Sequence, residues 1–202
     1  MILHHNYQSL KAIAHGYLAS NHQSGTIPIP IEEILDLRHG VNIAPLPGLQ
    51  EVAKTVGFSS SDFKTITVDE FVYLNRPARY RFTLAHELSH SLLHSDLYVQ
   101  RPFNTVDEWK QFVSKLDPLD YEVYEKDAND LAGLLLVPPG QLEVSAKIQR
   151  NKLAGRNDLG AVPDDLLRSY IANPIAREFD VSSQTVEIRL RRDRTEVRPS
   201  SL

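Results

Sequence analysis

Apolar residues recur at helical spacing over residues 7–19, where Leu10, Ile13, Ala14, Tyr17 and Leu18 fall on one face. The polar run over residues 21–26, which contains Gly25, predicts the end of that helix. Residues 27–35 read as a turn into a short helix, with Pro30 near its start and Gly40 as its stop. The pattern then changes. β-Branched and aromatic residues gather in 41–46, 63–68 and 71–74, broken by Gly48, Gly57 and the Asp69-Glu70 pair, which predicts three short strands. Helical spacing returns after Pro77. Residues 79–93, 107–116 and 121–136 each predict a helix, the last two stopping ahead of Pro118 and of Pro138-Pro139-Gly140. Residues 146–162 are polar and rich in Gly and Asn, so they read as a loop. A final helical pair covers about 164–173 and 174–192, with a break near Asp180. The expected organisation is a main domain over 1–145, a loop over 146–162 and a small helical unit with a basic tail over 163–202.

Composition narrows the class. Hydrophobic residues make up 42% of the 202 and charged residues 24%, the profile of a soluble globular chain. With no cysteine, disulfides, thiolate metal sites and a cysteine nucleophile are excluded. Residues 1–8 lack a basic stretch followed by an apolar core, so no signal peptide is read there and a cytoplasmic address is expected. The most apolar run, residues 131–137, is far short of the ~20 apolar residues that cross a bilayer. A net charge of −4 argues against a chain whose main task is to hold nucleic acid. Arg189, Arg191, Arg192, Arg194 and Arg198 nevertheless crowd the C-terminus.

The candidate chemistry lies in His86-Glu87-Leu88-Ser89-His90, an H-E-x-x-H match on a predicted helix. Residues four apart share a helix face, so His86 and His90 can grip one metal ion. Glu87 points about 100° around the helix from His86, where a general base for an activated water belongs. Two histidines do not complete a catalytic zinc site, which takes three protein ligands and one open position. The third must be a carboxylate or histidine from elsewhere. The helix over 121–136 offers Glu122, Glu125, Asp127 and Asp130, and periodicity leaves Glu125 and Glu122 equally open. Asn129, four residues after Glu125, can bond the outer nitrogen of a ligating histidine. His94 continues the row of His86 and His90. His94 and Tyr98 are candidates for a second oxyanion donor. Leu93 and Asp96 stand where a metzincin needs Gly and His, which excludes that class.

Around these residues the chain resembles the ImmA/IrrE family of metallo-endopeptidases. The resemblance rests on Arg81-Phe-Thr-Leu-Ala-His-Glu-Leu-Ser-His, and on Glu125-Lys-Asp-Ala-Asn-Asp-Leu-Ala-Gly-Leu-Leu-Leu-Val-Pro138. Weaker matches flank them, and together they cover about residues 25–192. The resemblance implies an α+β, mostly helical zincin-like fold with a small curved antiparallel sheet and a C-terminal pair resembling helix-turn-helix. It also implies one zinc per chain at His86, His90 and Glu125, with Glu87 as base. In that family the substrate is often a helix-turn-helix repressor of a mobile element or stress response, so a protein partner is expected, and neither nucleic acid nor a membrane. The chain departs from the family pattern at Ser89, Asp127 and Leu131. Ser89, in place of Gly, adds a side chain where helix packing is tight. The alternative is a DNA-binding or sensory regulator: 174–192 reads as helix, turn, helix, with Ser and Gln opening the second helix, although acids nearly balance its arginines.

Overall fold

Asn6 caps the first helix, its Oδ1 accepting from the Ser9 N–H at 2.9 Å. Helix α1 (Tyr7–Asn21) follows and buries Leu10, Ala14, Tyr17 and Leu18. A computed structural model of the protein describes residues 4–153 and 162–198. Helix α2 (Ile31–Glu33) runs into a π-helical turn (Ile34–Arg38), which stops just ahead of Gly40.

Strand β1 (Asn42–Leu46), helix α3 (Leu49–Ala53), and strands β2 (Gly57–Ser59) and β3 (Thr65–Asp69) come next. The sheet order is β1-β3-β2. The expected antiparallel sheet is mixed: β1 lies parallel to β3, and only β2 is antiparallel to it. The reason is connection length. β2 and β3 are joined by a tight turn, in which the Phe63 N–H reaches Ser60 O at 2.9 Å. β1 reaches β3 only through the α3–β2 crossover, which lets the chain return in the same direction. The sequence pattern missed β2, because Gly57 read as a break, and it took 71–74 for a strand. Those residues lie in α4 (Glu70–Asn75), where Asp69 accepts from the Val72 N–H at 3.3 Å and turns the chain out of the sheet. Phe71 and Leu74 are left exposed.

Helix α5 (Pro77–Gln100) starts on a proline and runs two turns past its expected end. Its buried Leu84, Ala85 and Leu88 pack into the main core. Helix α6 (Val106–Ser114) opens on a capping box built by Thr105 and Glu108. Asp117 caps α7 (Pro118–Leu136), whose last turns bury Leu131, Leu134, Leu135 and Leu136 completely. Each such leucine contributes ~1.5–3 kcal/mol over the exposed state. Helices α5 and α7 lie against one another along their length.

Helix α8 (Pro139–Asn151) occupies the first part of the expected loop, because Pro139 at its first position restarts the helix directly after Pro138. The rest of that loop, 154–161, lies outside the described residues. Helix α9 (Asp164–Phe179) runs through Pro174 instead of dividing there, held by Ile171, Ala172, Ile175 and Ala176 in the core. The break comes at Asp180, whose φ of 52° ends α9 in a left-handed turn. Ser182 then caps α10 (Ser183–Arg192). Leu167, Phe179, Val186 and Leu190 join one core cluster with residues of α1, α5 and α7.

Candidate metal centre

The crossing of α5 and α7 brings three groups to one point. The Nε2 atoms of His86 and His90 stand 2.9 Å apart. Glu125 presents one carboxylate oxygen 3.4 Å from His86 Nε2 and the other 3.8 Å from His90 Nε2. The three can hold a metal ion, with all ligand atoms within 4.8 Å of one another. Glu122 is exposed and one turn away, so the helix crossing chooses between two carboxylates that periodicity left open.

The protons say why a cation suits this point. His86 Nδ1 faces the Asn129 Oδ1 at 3.1 Å and donates to it. His90 Nδ1 faces His94 Nδ1 at 2.9 Å. In the tautomers that place both ring protons on Nδ1, two Nε2 lone pairs and a carboxylate converge and repel one another. A cation removes that repulsion. Zinc ligands at tetrahedral angles stand about 3.3 Å apart, within the spread of the three separations above. Burial holds the His90 imidazole well below its ordinary range, and the nearby His86 and His94 push it further down, so it is neutral and ready to bind. Burial also lowers His86, but the carboxylates of Glu125 and Glu87 outweigh it and raise the ring.

Glu87 is 5% exposed. Its Oε2 accepts from the Ser59 N–H at 2.9 Å. Burial raises its carboxyl above the usual range despite the opposing pull of His86. The Ser59 contact depends on Gly57, where an added Cβ would meet Thr83 Cγ2 at 2.6 Å and Thr67 O at 2.9 Å. Only glycine lets β2 lie this close to α5. Ser89 is accommodated without crowding: fully buried, it donates to Ala85 O at 2.7 Å.

Behind His90 lies an aromatic and polar shell. Tyr124 stacks on the His90 ring with centroids 4.1 Å apart. The hydroxyls of Tyr98 and Tyr124 are hydrogen-bonded to each other. His94 sits on the far side of His90 from the cluster, and burial pulls its ring down to about 4, with Asp127 opposing. His94 Nε2 is buried with no hydrogen-bond partner among the described residues, and Asp127 Oδ1 meets only Lys126 Nζ, at 3.6 Å. The other Asp127 oxygen accepts from the His5 N–H at 2.7 Å.

A cavity of about 590 Å³ opens over the cluster, lined by Glu87, Tyr98, Trp109 and Tyr121 among others. Tyr121 is the residue that sequence reasoning passed over. Burial and the Glu125 carboxylate beside it push its hydroxyl up to about 12. Its signal was its place four residues before Glu125. The arrangement thus offers a cation site open on one side, a buried carboxylate beside it, and a neutral phenol at its rim.

A sequence model described as Peptidase_M78, IrrE N-terminal-like domain, matches residues 37–191. No curated protein matches the chain. Among solved structures, a Mycobacterium tuberculosis transcriptional regulator aligns with a TM-score of 0.54 and 20% identity, over 90% of this chain and 46% of the other. This chain therefore spans less than half of that regulator's length, and the likeness is one of fold. Among the described residues, no helix is long and apolar enough to cross a membrane.

Proposed function

The chain belongs to the Peptidase_M78 family of IrrE N-terminal-like domains, and from that footing we propose that it is a zinc-dependent endopeptidase acting in the cytoplasm. Its substrate on this proposal is a regulatory protein such as a helix-turn-helix repressor. One observation carries it: two imidazole lone pairs and a carboxylate converge at the mouth of a cavity, beside a buried glutamate.

His86, His90 and Glu125 are the ligands in this proposal, and Glu87 is the base. Zinc held by these three residues would supply a bound water of near-neutral pKa and a Lewis acid for the peptide carbonyl. Glu87, fixed by Ser59, takes a proton from the attacking water and passes it to the amine nitrogen as the C–N bond breaks. Its raised carboxyl suits both halves of that task. Asn129 and His94 orient the two histidines through their Nδ1 atoms. Tyr121 keeps its proton at neutral pH and faces the cavity, so it can donate to the developing oxyanion. Tyr98 already shares its hydroxyl with Tyr124, and His94 is turned away from the cavity.

The test is metal content by elemental mass spectrometry, paired with cleavage of a proteome-derived peptide library. About one zinc per chain is expected, lost in His90→Ala and Glu125→Gln. Glu87→Gln should keep its zinc and lose roughly 10²–10⁴-fold in rate. Wild-type protein that neither holds nor takes up zinc would end the proposal. The rival is a DNA-binding or sensory regulator whose zinc does not turn over, which the name of the structural neighbour favours. A zinc-loaded chain that cuts nothing and retains random duplex DNA at low salt would establish that rival.

A further inference from the structure

A freely presented helix-turn-helix pair offers the start of its second helix to open solvent. Here Ser182, Gln184 and Thr185 line a cavity of about 940 Å³ between α10, α7 and the start of α5. That cavity shares Phe82, Tyr121, Glu125 and Asn129 with the one over the histidines. The two are adjoining parts of one cleft, and a polypeptide lying across Glu125 enters both.

The wall formed by α10 is held firmly. A Cβ on Gly133 would meet the Arg189 side chain at 3.1 Å, so the glycine lets that stem lie flat on α7. The Arg189 guanidinium then bonds Val137 O at 3.1 and 3.2 Å. Arg192 pairs with Asp130, which also takes Lys126 at 3.1 Å. With those charges engaged among themselves, most of the cleft surface is carbon, from Ala78 and Phe82 on α5 and Ile188 on α10, with Arg79 and Glu122 as charged groups also lining it. Ile188 is 46% exposed although it is a β-branched aliphatic residue.

We infer that this cleft is a specificity subsite for the polypeptide being cut. It seats a large apolar side chain, that of Leu, Ile, Met or Phe, on one side of the scissile bond, against Phe82 and Ile188. The occupant is the substrate itself because the cleft is continuous with the metal cluster. Its room suits such a side chain together with the backbone that carries it. On this account α10 is a wall of the substrate cleft rather than a DNA-reading helix.

The inference rests on the peptidase function proposed above, and its test separates the two. Zinc-loaded full-length chain is incubated with a proteome-derived peptide library, and cut positions are read by mass spectrometry. Large apolar residues should be enriched at one subsite. Ile188→Asp should reduce that enrichment about tenfold at that subsite alone, with zinc content and melting temperature unchanged. Ile188→Trp, which fills the space, should move the preference to Ala, Ser or Val. Cleavage with no apolar preference, or with a preference that both variants leave intact, overturns the subsite while sparing the peptidase. A zinc-loaded wild type that cuts nothing overturns the peptidase and the subsite with it.

Discussion

Two helix pairs that share α7 bury polar groups in opposite ways. Where α7 meets α10, every arm of the Arg189 guanidinium has a partner. Nε and one terminal nitrogen reach Val137 O, the other terminal nitrogen reaches the Tyr7 hydroxyl, and Asp193 lies 2.8 Å away. Where α7 meets α5, two imidazole nitrogens and a carboxylate converge on one point, and behind them His94 Nε2 has no hydrogen-bond partner among the described residues. A buried polar group with its partners complete serves the fold; one left incomplete marks a place meant for something else. Mutations at the two junctions should therefore fail differently.

The largest stability effect belongs to the complete junction. Arg189→Ala leaves Val137 O without its guanidinium and Asp193 to Lys11, 2.6 Å away, and should cost about 2–3 kcal/mol, lowering the melting temperature by roughly 5–10 °C. Its zinc stoichiometry, measured on the folded protein, should stay at the wild-type value. Lost zinc with an unchanged melting temperature would break the comparison.

The incomplete junction should respond in metal affinity. His94→Phe keeps a ring behind His90 but removes the nitrogen that its Nδ1 faces. Zinc affinity, measured by competition with a chromophoric chelator, should fall about 10–100-fold, with a small change in melting temperature. An unaltered affinity would show that His94 is packing and no more.

The smallest effect sharpens the comparison through pH. Asp69 is 3% exposed and, like Arg189, has its partners: the Gln50 backbone and side-chain N–H groups at 3.1 and 3.2 Å, and the Val72 N–H. Burial pushes its carboxyl up, but these donors outweigh it and hold it below the usual carboxylate range. A depressed folded pKa means stability that is present above the unfolded value of about 3.9 and lost as pH falls through the folded one. Asp69→Asn should cost about 1 kcal/mol near neutrality in urea unfolding. That gap should close as acid protonates the wild type. A gap constant with pH would assign the loss to shape rather than charge.

Much of this was legible in the chain. The spacing of His86 and His90 fixes their common face wherever a helix forms, and Leu84, Ala85 and Leu88 supply the apolar face that keeps α5 helical. The return of helical spacing after Pro77 and the Ser and Gln that open the last helix were legible because capping and proline chemistry are local. Helix α7, under its Asp117 cap, instead starts at Pro118, three residues ahead of the expected 121. The motif carried the family before any fold was seen, and a model of that family matches most of the chain.

What the chain hid lay wherever two segments had to meet. Glu122 and Glu125 are alike to periodicity, and only the crossing of α5 with α7 brings one of them to the histidines. β2 was invisible because Gly57 reads as a break until Thr83 and the Thr67 carbonyl press against it. Residues 71–74 have strand composition, yet Asp69 caps them into a helix. The seat of α10 was hidden as well, since Gly133 and the Arg189 side chain meet only when α10 lies on α7. Helix periodicity and capping act over a few residues and are written in order along the sequence. Ligand convergence, close backbone approach and the walls of a cleft depend on residues tens of positions apart, whose separation is set only when the core closes.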